Sequence, residues 1–203
     1  MSDAGKAEYV PDHLYERLFQ PWTLPESEWP LCKEDWARVD AVTALPWEGR
    51  LLDFGAGDGT LVAMVASRNP MVKCVIGVEK DRRQLGNAAY RWGEWPLWIR
   101  NYGMPNPVEK YDGALCCEVL EHMTPEEGHT TLKQIRSVLK PGGMLCVTVP
   151  NQAGPRAAYP GHVREFTVAE LARTVTDAGF TIEDGDAIGG KIIPVWFMAV
   201  ARA

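Results

Sequence analysis

The chain alternates short apolar runs with longer amphipathic segments through most of its length. The apolar runs are typical of buried strands, and the segments between them have the length and spacing of helices. We predict strands at 50–57, 73–80, 96–103, 111–120 and 143–151, and helices at 59–69, 81–93, 125–140 and 167–180. This β-α-β order predicts an α/β fold with a mostly parallel sheet and helices on both of its faces.

The end of the chain departs from this alternation. Two strand-like segments, about 180–186 and 192–201, are joined through AIGGK without a helix, which predicts a C-terminal antiparallel hairpin at one edge of the sheet. The whole sheet then has about seven strands. Thr167 is predicted to cap the helix before the hairpin, and Gly179 to end it.

The first 47 residues differ in composition from the rest. They are rich in Trp and Pro, with helical segments at roughly 12–19 and 33–45, and residues 1–48 hold ten acidic side chains against four basic ones. We therefore divide the chain into a helical, Trp-rich arm or lid, 1–47, and one globular unit, 48–203. The tryptophans have two interpretations, packing of the arm on the domain or an aromatic wall over a ligand site.

Charge and hydropathy restrict the possible partners and location. The formal charge is −6, with 21 basic against 27 acidic residues, and the broad basic field of proteins that bind long nucleic acids is missing. The sequence has neither an apolar run of membrane-spanning length nor an opening like a signal peptide, so we expect a cytoplasmic protein without a membrane span. The five cysteines lie mostly in apolar runs, and we interpret them as small buried side chains.

A glycine-rich turn carries the first candidate chemistry. In LLDFGAGDGT (51–60), glycines alternate with other residues between a strand and a helix, so the backbone and the helix N-terminus are open to a ligand. The spacing is not that of a dinucleotide site, and Asp53 would repel a pyrophosphate. Glu79 ends the next strand, where a carboxylate accepts both hydroxyls of a ribose. Together these acids suit an adenosine with a positively charged tail.

These residues resemble class I S-adenosylmethionine-dependent methyltransferases over about 48–200. The resemblance is carried, in order, by LLDFGAGDGT, GVEKD, YDGALCCEVLEHM, LKPGGMLCVTVPN and HVREFT. It implies a Rossmann-like methyltransferase fold and an enzyme that uses S-adenosylmethionine. It also implies that the cofactor is bound by Asp53, Gly55, Ala56, Gly57, Glu79, Cys117 and Glu118, with Asn101 where related enzymes often carry an acid beside the adenine.

A second constellation follows the fourth strand. Glu118, Glu121 and His122 have the spacing that places side chains on one face of a helical turn, and His162 follows the fifth strand. Two carboxylates and two imidazoles at this edge are candidate ligands for Mg²⁺, Mn²⁺ or Zn²⁺. The set is similar to that of ubiquinone-pathway O-methyltransferases and small-RNA 2′-O-methyltransferases. Alternatively, His122 or His162 acts without a metal, as a general base or by binding the substrate, or these residues are structural.

We expect methyl transfer to a hydroxyl of a small molecule, with metal assistance if the second constellation binds an ion. A hydroxyl acceptor has to lose a proton, which gives a metal ion or a histidine a role that a free amine does not need. Two alternatives stay open: a nucleic-acid 2′-O-methyltransferase, and a non-catalytic module that binds S-adenosylmethionine.

Overall fold

The computed structural model describes residues 33–82, 84, 97–101, 110–154, 161–189 and 194–203, with the backbone alone at 33–35 and 97–101. The helix predicted at 12–19 and nearly all of the one predicted at 81–93 lie outside these ranges. Within them, every strand predicted from the sequence is present.

The described strands form one seven-stranded sheet. They are β1 (Gly49–Phe54), β2 (Val72–Glu79), β3 (Leu97–Asn101), β4 (Tyr111–Cys117), β5 (Leu139–Pro150), β6 (Thr181–Ile188) and β7 (Trp196–Arg202). Their order is β3-β2-β1-β4-β5-β7-β6. Strands β1 to β5 pair in parallel, and β7 is antiparallel to both β5 and β6. The predicted mostly parallel sheet with a C-terminal antiparallel hairpin is confirmed.

Helices cover both faces of this sheet, as predicted. The described helices are α1 (Lys33–Thr43), α2 (Thr60–Arg68), α3 (Pro125–Val138) and α4 (Val168–Asp177), with a single 3-10 turn at Leu120–His122. One apolar core lies under α3 and α4, and a second lies under α1 and α2. In the described part of the chain, no helix combines the length and the apolar character that crossing a membrane requires.

The ends of the helices follow from local side-chain chemistry. Thr167 caps α4 as predicted, since its hydroxyl accepts a hydrogen bond from the Glu170 amide while the Glu170 carboxylate accepts one from the Thr167 amide. Thr124 caps α3 in the same reciprocal way. This arrangement satisfies amide groups that the first helical turn leaves unpaired.

The boundary between α3 and β5 differs from the prediction. The helix ends at Val138 instead of 140, and β5 begins at Leu139 instead of 143. The triplet PGG (141–143) was predicted to be a turn before the strand, but it lies within β5, where the pairing register with β4 shifts. Leu139 already has an extended backbone and pairs with Tyr111, so the helix passes directly into the strand.

The described end of the N-terminal arm packs on the globular unit. Val39 and Val42 of α1 are both buried, and Val42 belongs to the core under α1 and α2. Arg68 at the end of α2 donates to the Asp40 carboxylate and to the Thr43 hydroxyl, both at 2.7 Å. These contacts hold α1 against α2 on one face of the sheet.

Free thiols occupy the core, as the cysteine pattern predicts. Cys116, Cys117 and Cys146 are buried, and Cys74 is half-buried. Cys32 lies outside the described residues.

Candidate active site

The turn after β1 is tied to the end of β2 by backbone hydrogen bonds. The amides of Gly55 and Ala56 both donate to the Val78 carbonyl, at 2.8 and 3.1 Å. Gly55 has a φ of 80°, and a Cβ there would overlap the Val119 side chain. Gly57 has a φ of 55°, but a Cβ there would meet nothing within 4 Å. The space beside Gly57 is therefore open to a ligand, whereas Gly55 is packed against the Val119 side chain.

Asp53 is a buried acid on β1, two residues before this turn. In the sheet β1 lies between β2 and β4, where Asp53 pairs with Gly77 and Leu115, and the residue is only 3% exposed. Burial, and next the negative charge of Glu79, raise the pKa of Asp53 to about 7, although Arg38 acts in the opposite direction. A positively charged ligand group beside Asp53 would favour its ionised form.

Glu79 is held at the end of β2 by three backbone amides. Its Oε2 accepts from Gly57 at 2.8 Å, and its Oε1 accepts from Lys80 at 2.7 Å and from Asp81 at 2.8 Å. The carboxylate thus links the glycine turn to the start of the next segment. Asn101 lies beside Glu79 in the register of β2 and β3.

The structure does not place Glu118, Glu121 and His122 on one helical face, so this prediction is wrong. Glu118 has a φ of 57° and directly follows β4, and the 3-10 turn begins only at Leu120. The Glu118 carboxylate accepts from Thr148 Oγ1 at 3.1 Å and from Trp196 Nε1 at 2.8 Å. The left-handed backbone therefore directs this side chain toward β5 and β7.

Three of the four predicted metal ligands nevertheless come together: Glu121, His122 and His162 each place a ligand atom within 4.8 Å of the others. Glu118 is not in this group. His122 Nε2 lies 3.9 Å from Glu121 Oε1, and the two imidazole rings stand edge to face with centroids 5.1 Å apart. Glu121 is 1% exposed, whereas His122 is exposed.

Burial shapes the electrostatics of Glu121. Burial, and next the charge of Glu118, raise the pKa of Glu121 to about 8. Its Oε2 is buried and accepts no hydrogen bond from any described residue. An unsatisfied buried carboxylate oxygen is costly unless a cation or a proton donor is nearby.

The segment that contains His162 is hydrogen-bonded to the 3-10 turn. The amides of Val163 and Arg164 donate to the Glu121 carbonyl, at 2.7 and 3.2 Å. His122 Nδ1 lies 2.9 Å from the Gly161 carbonyl. Because a carbonyl only accepts, Nδ1 carries a proton there, and in the neutral ring Nε2 is left with its lone pair.

Arg38 is a site residue that sequence reasoning missed. It lies on α1, far along the chain from the other site residues, yet its charge acts on both Asp53 and Glu121. Its guanidinium carbon lies 5.5 Å from the centre of the Trp196 ring. The sequence held one signal. Arg38 is one of only four basic residues in the acidic segment 1–48.

Comparisons with known proteins match this architecture. Residues 7–184 match the model of a family described as a methyltransferase domain. The chain is 29% identical over 143 residues to a probable S-adenosylmethionine-dependent methyltransferase of Mycolicibacterium smegmatis, and this match covers 66% of this chain and 52% of that protein. It is 27% identical over 169 residues to the 27-O-demethylrifamycin SV methyltransferase of Amycolatopsis mediterranei, a match that covers 75% of this chain and 61% of that protein. The chain thus spans less than two thirds of the length of either relative.

A solved structure shows the same fold. The N-methyltransferase NodS of Bradyrhizobium japonicum, in complex with S-adenosyl-L-homocysteine, superposes with a TM-score of 0.71. The match covers 94% of this chain and 96% of that one, at 18% identity. At this level of identity the likeness concerns the fold.

We expect Asp53→Asn to reduce the pH dependence of stability between about pH 4 and pH 7. The folded chain retains a proton on Asp53 up to a pKa of about 7, while the unfolded chain loses it near the ordinary value of about 3.8. The stability contributed by this proton is therefore full below about pH 4 and declines toward pH 7, by at most about 1.4 kcal/mol per pH unit.

Urea unfolding at a series of pH values measures this decline. A matched control is Glu183→Gln, since Glu183 is an exposed acid on β6 that pairs with Arg202, and this variant should keep the wild-type decline. If Asp53→Asn lost stability with rising pH as steeply as the wild type, Asp53 would not hold the retained proton.

Proposed function

The chain belongs to the methyltransferase-domain family of class I S-adenosylmethionine-dependent enzymes, and we propose that it transfers a methyl group from S-adenosylmethionine to a hydroxyl of a small molecule. The family match confirms the resemblance drawn from the sequence. The observation that carries the proposal is the pair of acids, Asp53 and Glu79, on either side of an open glycine turn. Within this proposal, residues 1–47 form an arm over the site and 48–203 the catalytic unit.

The cofactor site lies at the carboxyl ends of β1, β2 and β4. Glu79 binds the ribose hydroxyls, and its three amide contacts fix the carboxylate in place. Asp53, with Gly55, Ala56 and Gly57, binds the positively charged methionine portion, because a cation is the ligand that a buried carboxyl of raised pKa favours. Asn101 lies beside the adenine. Cys117 and Glu118, at the end of β4, lie near the sulfonium, with Glu118 acting through its contacts to Trp196 and Thr148.

The acceptor side of the site is formed by Glu121, His122 and His162. Methyl transfer is an in-line displacement, so the chain has to align the acceptor oxygen, the methyl carbon and the sulfur. Because the Nδ1–H of His122 donates to the Gly161 carbonyl, Nε2 of the neutral ring is suited to accept the hydroxyl proton. The name of the rifamycin relative describes an acceptor that lacks an O-methyl group, which supports oxygen as the acceptor atom.

The same three residues fit a divalent metal ion. The donor set is one carboxylate oxygen and two imidazole nitrogens, and the buried Glu121 Oε2 needs a cationic partner. His122 donates its other ring N–H to a backbone carbonyl, as metal-bound histidines commonly do. Glu121, His122 and His162 would hold the ion, which would lower the pKa of an acceptor hydroxyl. Glu118 is left out of this set because its carboxylate accepts from Trp196 and Thr148.

The observations favour a small acceptor over a nucleic acid. The chain carries 21 basic against 27 acidic side chains, and neutralising many phosphates requires an excess of basic ones. No observation favours a non-catalytic module, because the acceptor side holds titratable groups that binding of the cofactor alone does not use.

Replacing Glu79 by Gln is expected to weaken the binding of S-adenosylmethionine by roughly 1–3 kcal/mol, the scale of hydrogen bonds to a charged group. Isothermal titration calorimetry measures the change in affinity. Glu183→Gln, at the β6 edge of the sheet, should bind like the wild type. If Glu79→Gln and the wild type bound S-adenosylmethionine with equal affinity, Glu79 would not bind the ribose.

His162→Ala is expected to leave cofactor affinity within about twofold while lowering methyl transfer at least about tenfold, since His162 acts on the acceptor. The assay follows the radioactive methyl group of S-adenosylmethionine into a catechol and, separately, into an oligoribonucleotide. Each reaction is run with chelator and with added Mg²⁺, Mn²⁺ or Zn²⁺.

The outcomes of this assay separate the parts of the proposal. Transfer to the catechol that requires a metal, and that Glu121→Gln abolishes, supports the metal-assisted mechanism. Full transfer in the presence of chelator overturns the metal-assisted mechanism and leaves His122 or His162 as the general base. Transfer to the oligoribonucleotide alone overturns the small-molecule acceptor. His129→Ala is the control variant, because His129 lies on α3 outside the histidine group.

A further inference from the structure

Glu118 has a backbone conformation that needs compensation. In the described part of the chain, it is the one residue other than glycine with a positive φ, at 57°. Side chains rarely adopt this left-handed region unless surrounding contacts stabilise it. The compensating contacts come from two other strands, since Thr148 of β5 and Trp196 of β7 both donate to the Glu118 carboxylate. Glu118 therefore links the ends of β4, β5 and β7.

Trp196 extends this link to the N-terminal arm. It is 1% exposed, and its indole N–H is 2.8 Å from Glu118 Oε2. The Arg38 guanidinium lies over the face of its ring, 5.5 Å from the centre, where the ring quadrupole attracts a cation. Arg38 Nε is buried and donates to no described residue.

Geometry places the Arg38 charge at the edge where the parallel strands end, because Trp196 pairs with Pro150, the last residue of β5, and the guanidinium lies over the Trp196 ring. Burial raises the pKa of Asp53, and the charge of Arg38 opposes this effect. One cation on α1 therefore acts on an acid of β1. The proposed cofactor would bring a second cation, its sulfonium, to the same edge.

Methyl transfer removes that second charge. The bond between the methyl carbon and the acceptor oxygen forms while the carbon–sulfur bond breaks, and the hydroxyl proton leaves to a base. The bonding electron pair stays on sulfur, which becomes a neutral thioether. A fixed cation nearby therefore raises the free energy of the sulfonium ground state more than that of the transition state or the product.

We propose that Glu118 and Trp196 are positioning residues that hold Arg38 at the carboxyl edge, and that Arg38 sets how strongly the site prefers the sulfonium cofactor over its neutral thioether product. This inference rests on the proposed function. Arg38 weakens the preference for the charged cofactor and favours discharge of the sulfonium. Glu118 and Trp196 act through Arg38.

The test is the ratio of two dissociation constants, that of S-adenosylhomocysteine divided by that of S-adenosylmethionine, measured by calorimetry. In Arg38→Gln we expect this ratio to rise about three- to tenfold, and the methyl-transfer rate at saturating cofactor to fall by a similar factor. Arg38→Lys keeps the charge and a cation that the Trp196 ring attracts, although it loses the planar stacking of the guanidinium, so its ratio should lie closer to that of the wild type than to that of Arg38→Gln.

A supporting variant separates positioning from a merely structural role. Trp196→Phe keeps an aromatic ring under Arg38 and leaves every charge in place, but it removes the N–H that Glu118 accepts from. It should raise the ratio in the same direction as Arg38→Gln, by a smaller factor. Arg202→Gln is the matched control, since Arg202 is at the far end of β7 from Trp196, and its ratio should equal that of the wild type.

Two results would overturn the inference. If Arg38→Gln weakened or strengthened both ligands in parallel, leaving the ratio unchanged, Arg38 would not discriminate charge on sulfur. If Arg38→Gln and Arg38→Lys raised the ratio equally, the cause would be lost packing. Failure of the proposed function has a different signature, because the wild type would then bind neither ligand.

Discussion

Parallel strands bring their last residues to one edge of a sheet, and in this chain several of those residues are acids. Asp53 near the end of β1, Glu79 at the end of β2 and Glu118 directly after β4 all lie at this edge, with Glu121 in the following 3-10 turn. Like charges at short range disfavour one another's ionisation. Each acid is accommodated in a different way, and the rest of the site follows from those differences.

Asp53 and Glu121 are buried, and their pKa values are raised. Glu79 is half-buried and is stabilised by three backbone amides. Glu118 turns away, through a left-handed backbone, to the hydroxyl of Thr148 and the indole of Trp196. The glycine turn, the histidine group and the Arg38 contact are therefore parts of one electrostatic arrangement, which a cationic ligand would complete.

Much of the fold could be predicted from the chain because the relevant signals are local. Apolar runs that alternate with amphipathic segments predict parallel strands with helical crossovers, and the capping residue Thr167 marks the start of its helix. The residues proposed to bind the cofactor could be singled out in the sequence for the same reason, since Asp53, the glycines and Glu79 all belong to one β-α-β unit. The spacing from Glu118 to His122 misled the prediction because it assumes a helix, and the backbone at Glu118 is left-handed.

What could not be predicted depends on contacts between distant segments. Arg38 reaches the carboxyl edge only because α1 packs under the sheet, and no spacing rule connects it to Trp196. Trp196, one of the two partners of Glu118, is likewise 78 residues away along the chain. Residue type alone made Glu118 look like a ligand, whereas its hydrogen bonds make it a link between strands.

The central claim is that, below about pH 7, the carboxyl of Asp53 holds a proton that it releases when the cationic portion of S-adenosylmethionine binds beside it. Calorimetric titration of the wild-type chain with S-adenosylmethionine, in two buffers of different ionisation enthalpy, counts the protons released on binding. With an Asp53 pKa of about 7, we predict release of close to one proton at about pH 6, almost none at about pH 8.5, and none at either pH for Asp53→Asn. Binding at about pH 6 without proton release would contradict the account.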